Sequence, residues 1–333
     1  MPVAVGYARL RPSAVPDPTR ALALPTAGPS EGTLPSRPAT AGPTRLALVP
    51  GMTSGHDNPD LERRRPPPAG RCRPRVVGPL PARPLRAPWA TPFDVAALAA
   101  LWLGQEVRGH APALELPADP AVRAYLVDMG LDRVIPGPWG PGGGCVVDPP
   151  WLMLTRLAAG DEWDDLQRNL WPAARQALGE YELAQRTLDI LGELVDNAAT
   201  HGESAVGTLV CAQRYTGATS GLPAGVWLGV ADAGVGIPAH LRRNPKYADE
   251  TSDLKLIALA RRRWVTGTAD RRGWGLVDVF ENAAAAGPSR VIIRSGRGEG
   301  DFRLRPGRRV RPRYSALARA LPGTWVHVQV EGG

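Results

Sequence analysis

Proline decides how much of this chain can fold. Of the 36 prolines among its 333 residues, 19 fall in the first stretch, to Pro88. A segment so rich in them cannot bury much apolar surface. Residues 1–88 are therefore expected to form a disordered Pro/Arg-rich tail. About 240 residues remain for folding, enough for one or two ordinary domains.

From Pro92 the pattern changes. Val95, Leu98, Leu101 and Trp102 recur at helical spacing over Phe93–Arg108, and Gly109 is a stop signal. Ala113–Leu116 reads as a short strand. Asp119-Pro120 opens a second helix to Met129, with proline in the first turn, where its missing N–H costs little. Residues 89–135 thus read as a small α/β unit. Residues 136–150 are a Gly/Pro-rich linker; Gly142-Gly143-Gly144 is not followed by the Lys-Ser/Thr of a phosphate loop. Residues 151–178 are expected to be helical, with Leu152, Leu154, Leu157, Leu166 and Leu170 on the apolar side.

Signals become dense after Tyr181. Tyr181–Thr200 is a long amphipathic helix, apolar along Ala184, Leu188, Leu191, Leu194 and Val195 and polar along Glu182, Arg186, Asp189, Glu193 and Asn197. Strands are predicted at 206–213 and 226–232, followed by a long connection over 234–272. A helix then runs over 274–286, with strands near 290–294, 302–304 and 324–330. This order describes an α+β sandwich with an antiparallel-leaning sheet.

Charge and cysteine usage narrow the function classes. The formal charge is +8, yet Lys246 and Lys255 are the sole lysines among 40 basic residues. An arginine bias of this kind reflects composition more than a phosphate-binding face, so no nucleic-acid partner is expected. Cys72, Cys145 and Cys211 stand far apart and suit neither a zinc site nor a disulfide framework. The longest apolar run, Val95–Leu103, is too short to cross a bilayer, and no signal peptide is visible. The expected compartment is the cytoplasm.

Four elements carry chemistry. Glu193 and Asn197, four apart, share a helical face. A carboxylate able to accept a proton then lies beside an amide oxygen able to ligate a hard cation such as Mg²⁺. Alternation over Val226–Asp232 places Asp232 on the buried face, where a carboxylate needs a donor. Ala233-Gly234-Val235-Gly236-Ile237 follows at once, and its glycines let backbone approach a ligand. Arg272-Gly273-Trp274-Gly275-Leu276 leads into a helix, exposing N–H groups at its start. Thr324, after Gly323, shares the inward face of Val326, Val328 and Val330.

Taken together, these residues resemble the GHKL ATPases, the superfamily of gyrase-type and histidine-kinase-type ATP-binding domains. Glu193-Leu-Val-Asp-Asn197 is similar to their N box. Asp232-Ala-Gly234-Val-Gly236 and Gly273-Trp-Gly275-Leu276 are similar to the two glycine boxes, and Gly323-Thr324 to the closing Gly-Thr element. The resemblance covers roughly residues 180–331. It implies a two-layer α/β sandwich of the Bergerat type over 151–333, with ATP and Mg²⁺ as cofactors. Glu193 would be the general base and Asn197 the Mg²⁺ ligand. Asp232 would bind the adenine amine, supported by Thr324. Gly234, Gly236, Ile237, Gly273, Gly275 and Leu276 would shape the nucleotide pocket. Residues 239–272 would be a lid, with Thr268 near phosphate.

Within the superfamily, Asn197-Ala-Ala-Thr-His201-Gly202 resembles the corresponding run of bacterial anti-sigma-factor serine kinases. That resemblance implies a regulatory protein kinase acting on a protein partner, a sigma factor or a STAS-type anti-anti-sigma protein, and allows a homodimer. Residues 92–129 also resemble STAS-like segments. Two alternatives stay open: an ATP-gated interaction module without catalysis, and a histidine-kinase-like ATPase domain.

Overall fold

The computed structural model of the chain describes residues 45–50, 72–77, 90–110, 113–117, 119–140, 148–158, 161–217, 223–267, 275–308 and 310–332. In chain order the strands are β1 (Arg45–Pro50), β2 (Cys72–Val77), β3 (Ala113–Glu115), β4 (Pro150–Leu157), β5 (Thr208–Tyr215), β6 (Gly225–Asp232), β7 (Ser289–Leu304) and β8 (Arg311–Glu331). The helices are α1 (Pro92–Val107), α2 (Pro120–Asp128), α3 (Asp161–Leu178), α4 (Tyr181–His201), α5 (Gly236–Leu241), α6 (Asp253–Ala260) and α7 (Gly275–Ala286).

The main sheet has five strands in the order β4-β5-β6-β8-β7, every neighbouring pair antiparallel. The fold is mixed α and β, as the sequence leads one to expect. Alternation explains how the sheet is covered. Val226, Leu228 and Val230 of β6 face one side, with Val210, Val291, Ile293, Val326 and Val328 from neighbouring strands. The apolar stripe of α4 covers that face together with α3 and α7, through Leu188, Leu191, Leu194, Trp163, Val279 and Ala283. Full burial of each large aliphatic side chain contributes about 1.5–3 kcal/mol, so this layer holds α4 firmly.

The opposite face differs from expectation. It is covered by α1, whose residues 92–104 are buried all round. Val95, Leu98, Leu101 and Trp102 share one core with Leu209, Cys211, Ala231 and Trp325 of the sheet, with Leu126 of α2 and with Leu131 beyond it. A helix apolar on every side must be buried, and here the sheet supplies the cover. Gly229 permits the approach, since a Cβ there would stand 2.6 Å from the Phe93 backbone nitrogen. The helix start is fixed by a capping box: Thr91 Oγ1 receives the Asp94 N–H and the Asp94 carboxylate receives the Thr91 N–H. Residues 90–139 therefore do not stand as a separate α/β unit, and the sandwich has helices on both faces.

Three local assignments also change. Residues 150–157 form strand β4 rather than the start of a helix; Leu152, Leu154 and Leu157 fit either period, and pairing with β5 decides. The last strands are two long ones, β7 and β8, joined as a hairpin, because arginine-rich and small residues continue the pairing past the apolar stretches. Strands β1 and β2 lie within the segment read as a tail; β1 pairs antiparallel with β2 and parallel with β3. No helix among the described residues is long and apolar enough to cross a membrane.

Candidate functional site

Asp232 closes β6 opposite Thr208, where the alternation puts its side chain inside. It is 2% exposed. Oδ1 accepts the Gly234 N–H at 2.8 Å and Oδ2 the Thr324 N–H at 3.1 Å. Burial pushes the carboxyl up to about 6, against the opposing pull of those two N–H donors. Each carboxylate oxygen retains a further lone pair for another donor.

The glycines around it are there for close approach. The Val235 N–H donates to the Gly202 carbonyl and the Gly323 N–H to the Gly234 carbonyl, both at 2.8 Å. The loop is thus tied between the end of α4 and the start of the paired segment of β8. A Cβ on Gly234 would overlap the Gly202 carbonyl. Gly236 and Gly323 have φ of +76° and +70°, a region costly to other residues. Ser295 of β7 locks the arrangement: its hydroxyl donates to the Gly323 carbonyl and accepts the Ile237 N–H.

Beside Asp232 opens a pocket with a cavity volume of about 90 Å³, continuous with open solvent. Its walls are mainly apolar: Leu194, Val230, Ile237, Leu241, Val265 and Val326. Its polar groups are Asn197, His201, Asp232, His240, Thr266 and Thr324. Apolar walls with a few convergent polar groups are the usual make-up of a small-molecule site. Asn197, Asp232, Gly236, Ile237, Leu276 and Thr324 all line it, so one cavity gathers residues from widely separated parts of the sequence. Gly234 sits directly behind, bonded to Asp232. Gly275 begins α7 next to Leu276. Thr268 and Gly273 lie outside the described residues.

Asn197 donates its amide N–H to the Glu193 carbonyl at 2.6 Å, which leaves the amide oxygen as its ligating atom. Among the described residues no three His, Cys, Asp or Glu side chains group as metal ligands. A Mg²⁺ held here would take one protein oxygen and complete its shell with phosphate and water.

Glu193 does not line this cavity. It borders a second cleft, with Asp189, Asp278, Glu281 and Asn282. Burial raises its carboxyl above the ordinary value, and Asp278, Asp196 and Asp189 add to the effect. A carboxyl shifted this way holds a proton more readily, the property a general base needs.

One wall residue escapes sequence reasoning. His240, on the last turn of α5, is 7% exposed, and its ring lies 4.6 Å from that of His201, centroid to centroid. A lone histidine in a glycine-rich connection carries no signal of burial. Its spacing of four from Gly236 was the sole hint that it faces the same cavity. No protein-family model matches the chain, and no curated protein matches it significantly.

Proposed function

We propose that the chain binds ATP with Mg²⁺ in the cavity beside Asp232 and, in the cytoplasm, regulates a protein partner in the manner of a serine/threonine-kinase-like anti-sigma factor. The observation that carries the reading is the buried Asp232 carboxylate: at the base of an apolar pocket, held by two backbone N–H groups, it still has room for a donor. The exocyclic amine of adenine is such a donor, whereas guanine offers a carbonyl oxygen in that place. Thr324 supports the same end of the ligand. Asn197 would hold Mg²⁺ against the phosphates, which supplies charge neutralisation during phosphoryl transfer. Glu193 would accept the proton of the attacking hydroxyl. The partner's class, a sigma factor or STAS-type protein, rests on the resemblance of the Asn197–Gly202 run.

Calorimetry tests the site. Mg-ATP binds wild type more tightly than Mg-GTP, and Asp232→Asn loses most of the ATP affinity. Equal affinity of wild type and variant sinks the assignment.

A second reading has its own support. Because Glu193 borders a different cleft, the cavity is equipped to bind without turning over. The chain would then be an ATP-gated interaction module. Phosphate release or transfer, measured with candidate partners present, separates the two.

A further inference from the structure

We infer that His240 contacts the nucleoside part of the ligand in this cavity, making one hydrogen bond to the base or the sugar. The inference rests on the nucleotide reading above.

Among the described residues, neither ring nitrogen of His240 has a hydrogen-bond partner. A neutral imidazole brings one donor and one acceptor, and leaving both unmade in the interior is costly. This ring borders open space, so the missing partner has room to come from a ligand.

The ring is also held in place. His201, at the end of α4, lies against one side at 4.6 Å between centroids, with the planes tilted 39°. The backbone at Gly267 closes another: a Cβ there would stand 2.7 Å from His240 Cδ2. Thr266, next to it, is fixed through its carbonyl by the Asn244 amide at 3.0 Å. Pre-positioned polar groups of this kind orient a ligand rather than follow it.

Its charge decides which part of the nucleotide it meets. His201 and Arg243 lie near enough to disfavour a positive charge on the ring, and Arg243 is itself engaged by Glu203. Burial, His201 and Arg243 all lower the tendency of His240 to protonate, against a smaller opposite effect of Glu203. These influences favour the neutral imidazole. In that form it serves a hydrogen bond to an uncharged ring nitrogen or hydroxyl of a ligand.

The test compares adenine, adenosine and Mg-ATP by calorimetry on the full chain. His240→Phe keeps the ring volume and removes both hydrogen-bonding atoms; His240→Gln keeps a donor and an acceptor. Phe weakens adenosine and ATP alike by about tenfold, while Gln stays within about threefold. Loss that persists with adenine assigns the contact to the base, and loss absent with adenine assigns it to ribose. Unchanged affinity in the Phe variant, or a loss confined to ATP, overturns the inference while leaving the nucleotide reading intact. A wild type that binds neither adenosine nor ATP overturns both. If the Phe variant fails to fold, ¹⁵N spectra of histidine-labelled wild type decide. Adenosine must shift the His240 ring nitrogens, assigned by their absence in the Gln variant; static resonances overturn the contact.

Discussion

Helix α4 borders two clefts of opposite character. Toward its C-terminal end, Leu194, Asn197, Ala198 and His201 face an apolar pocket with one buried carboxylate, Asp232. One turn earlier, Asp189 and Glu193 face a polar cleft crowded with carboxylates. Burial dominates the carboxyl shift in both places, yet the second causes are opposed. At Asp232 backbone donors pull the value back, whereas at Glu193 neighbouring carboxylates push it further up. The first environment selects a ligand that brings donors. The second keeps a carboxyl ready to hold a proton. Around a helix of 3.6 residues per turn, Glu193 and Asn197 lie only about 40° apart. They sit side by side on the helix, Asn197 at one cleft and Glu193 at the other.

If the division of labour is right, it breaks in a particular order. The largest effect is expected at Glu193. Glu193→Gln lowers ATP turnover by about 10²–10⁴-fold, the range for loss of a general base. Affinity for Mg-ATP stays within about twofold of wild type, because the residue does not line the pocket. Parallel loss of affinity would merge the two clefts into one site. Next comes Asp232→Asn, expected to weaken Mg-ATP about 100-fold, the upper end for a charge-assisted hydrogen bond in a buried place. Isothermal titration reads both.

How much of this was legible beforehand follows from which periods were unambiguous. The stripe on α4 and the alternation of β6 specified faces without help from tertiary contacts, so the gathering of Asn197, Asp232 and Thr324 could be expected. Residues 150–157 could not be placed, because a short apolar run over 151–154 with Leu157 beyond it is compatible with helix and strand alike. The role of α1 was hidden for a related reason. Its spacing suggested one apolar stripe, while Ala96, Ala97, Ala99 and Ala100 fill the remaining sides and mark a helix covered all round. The separation of Glu193 from the pocket was out of reach. Sequence spacing says that two side chains share a face, but not where along the helix a cavity ends. His240 was missed because its burial comes from His201 and Gly267, contacts far apart in sequence.

The pocket side of the comparison sharpens through its backbone. Gly323→Ala forces a left-handed φ on alanine and sets its Cβ 2.5 Å from Asp232 Oδ1. It should destabilise the fold by roughly 2 kcal/mol and weaken ATP with it, while the titration of Glu193 stays where it was. Denaturant unfolding measures the first, and a stability equal to wild type would mean that the loop can relax away from Asp232. Acidity gives a smaller effect. Since burial raises Asp232 to about 6, its contribution to the free protein's stability is full below its unfolded value and is lost as pH rises through about 6. A donor from the ligand prefers the ionised form, so ATP affinity runs the other way. It falls by up to about tenfold per pH unit as pH drops below 6, and Asp232→Asn removes that step. A step that survives in the variant belongs to another group lining the pocket.

The smallest expected effect tests the acidic cleft alone. Asp278, in the first turn of α7, is the largest contributor after burial to the raised Glu193 carboxyl. Asp278→Asn removes one like charge and leaves the shape of the cleft nearly unchanged. Glu193 must then titrate at lower pH, because its ionised form loses a repulsive neighbour. Carboxyl ¹³C spectra of labelled protein report the direction. Mg-ATP affinity should not move, since neither Asp278 nor Glu193 borders the pocket. An upward or absent shift would mean that Glu193 is governed by something other than its acidic neighbours. A shift accompanied by weaker ATP binding would mean that the border at Asn197 couples the clefts, with the phosphates reaching across it.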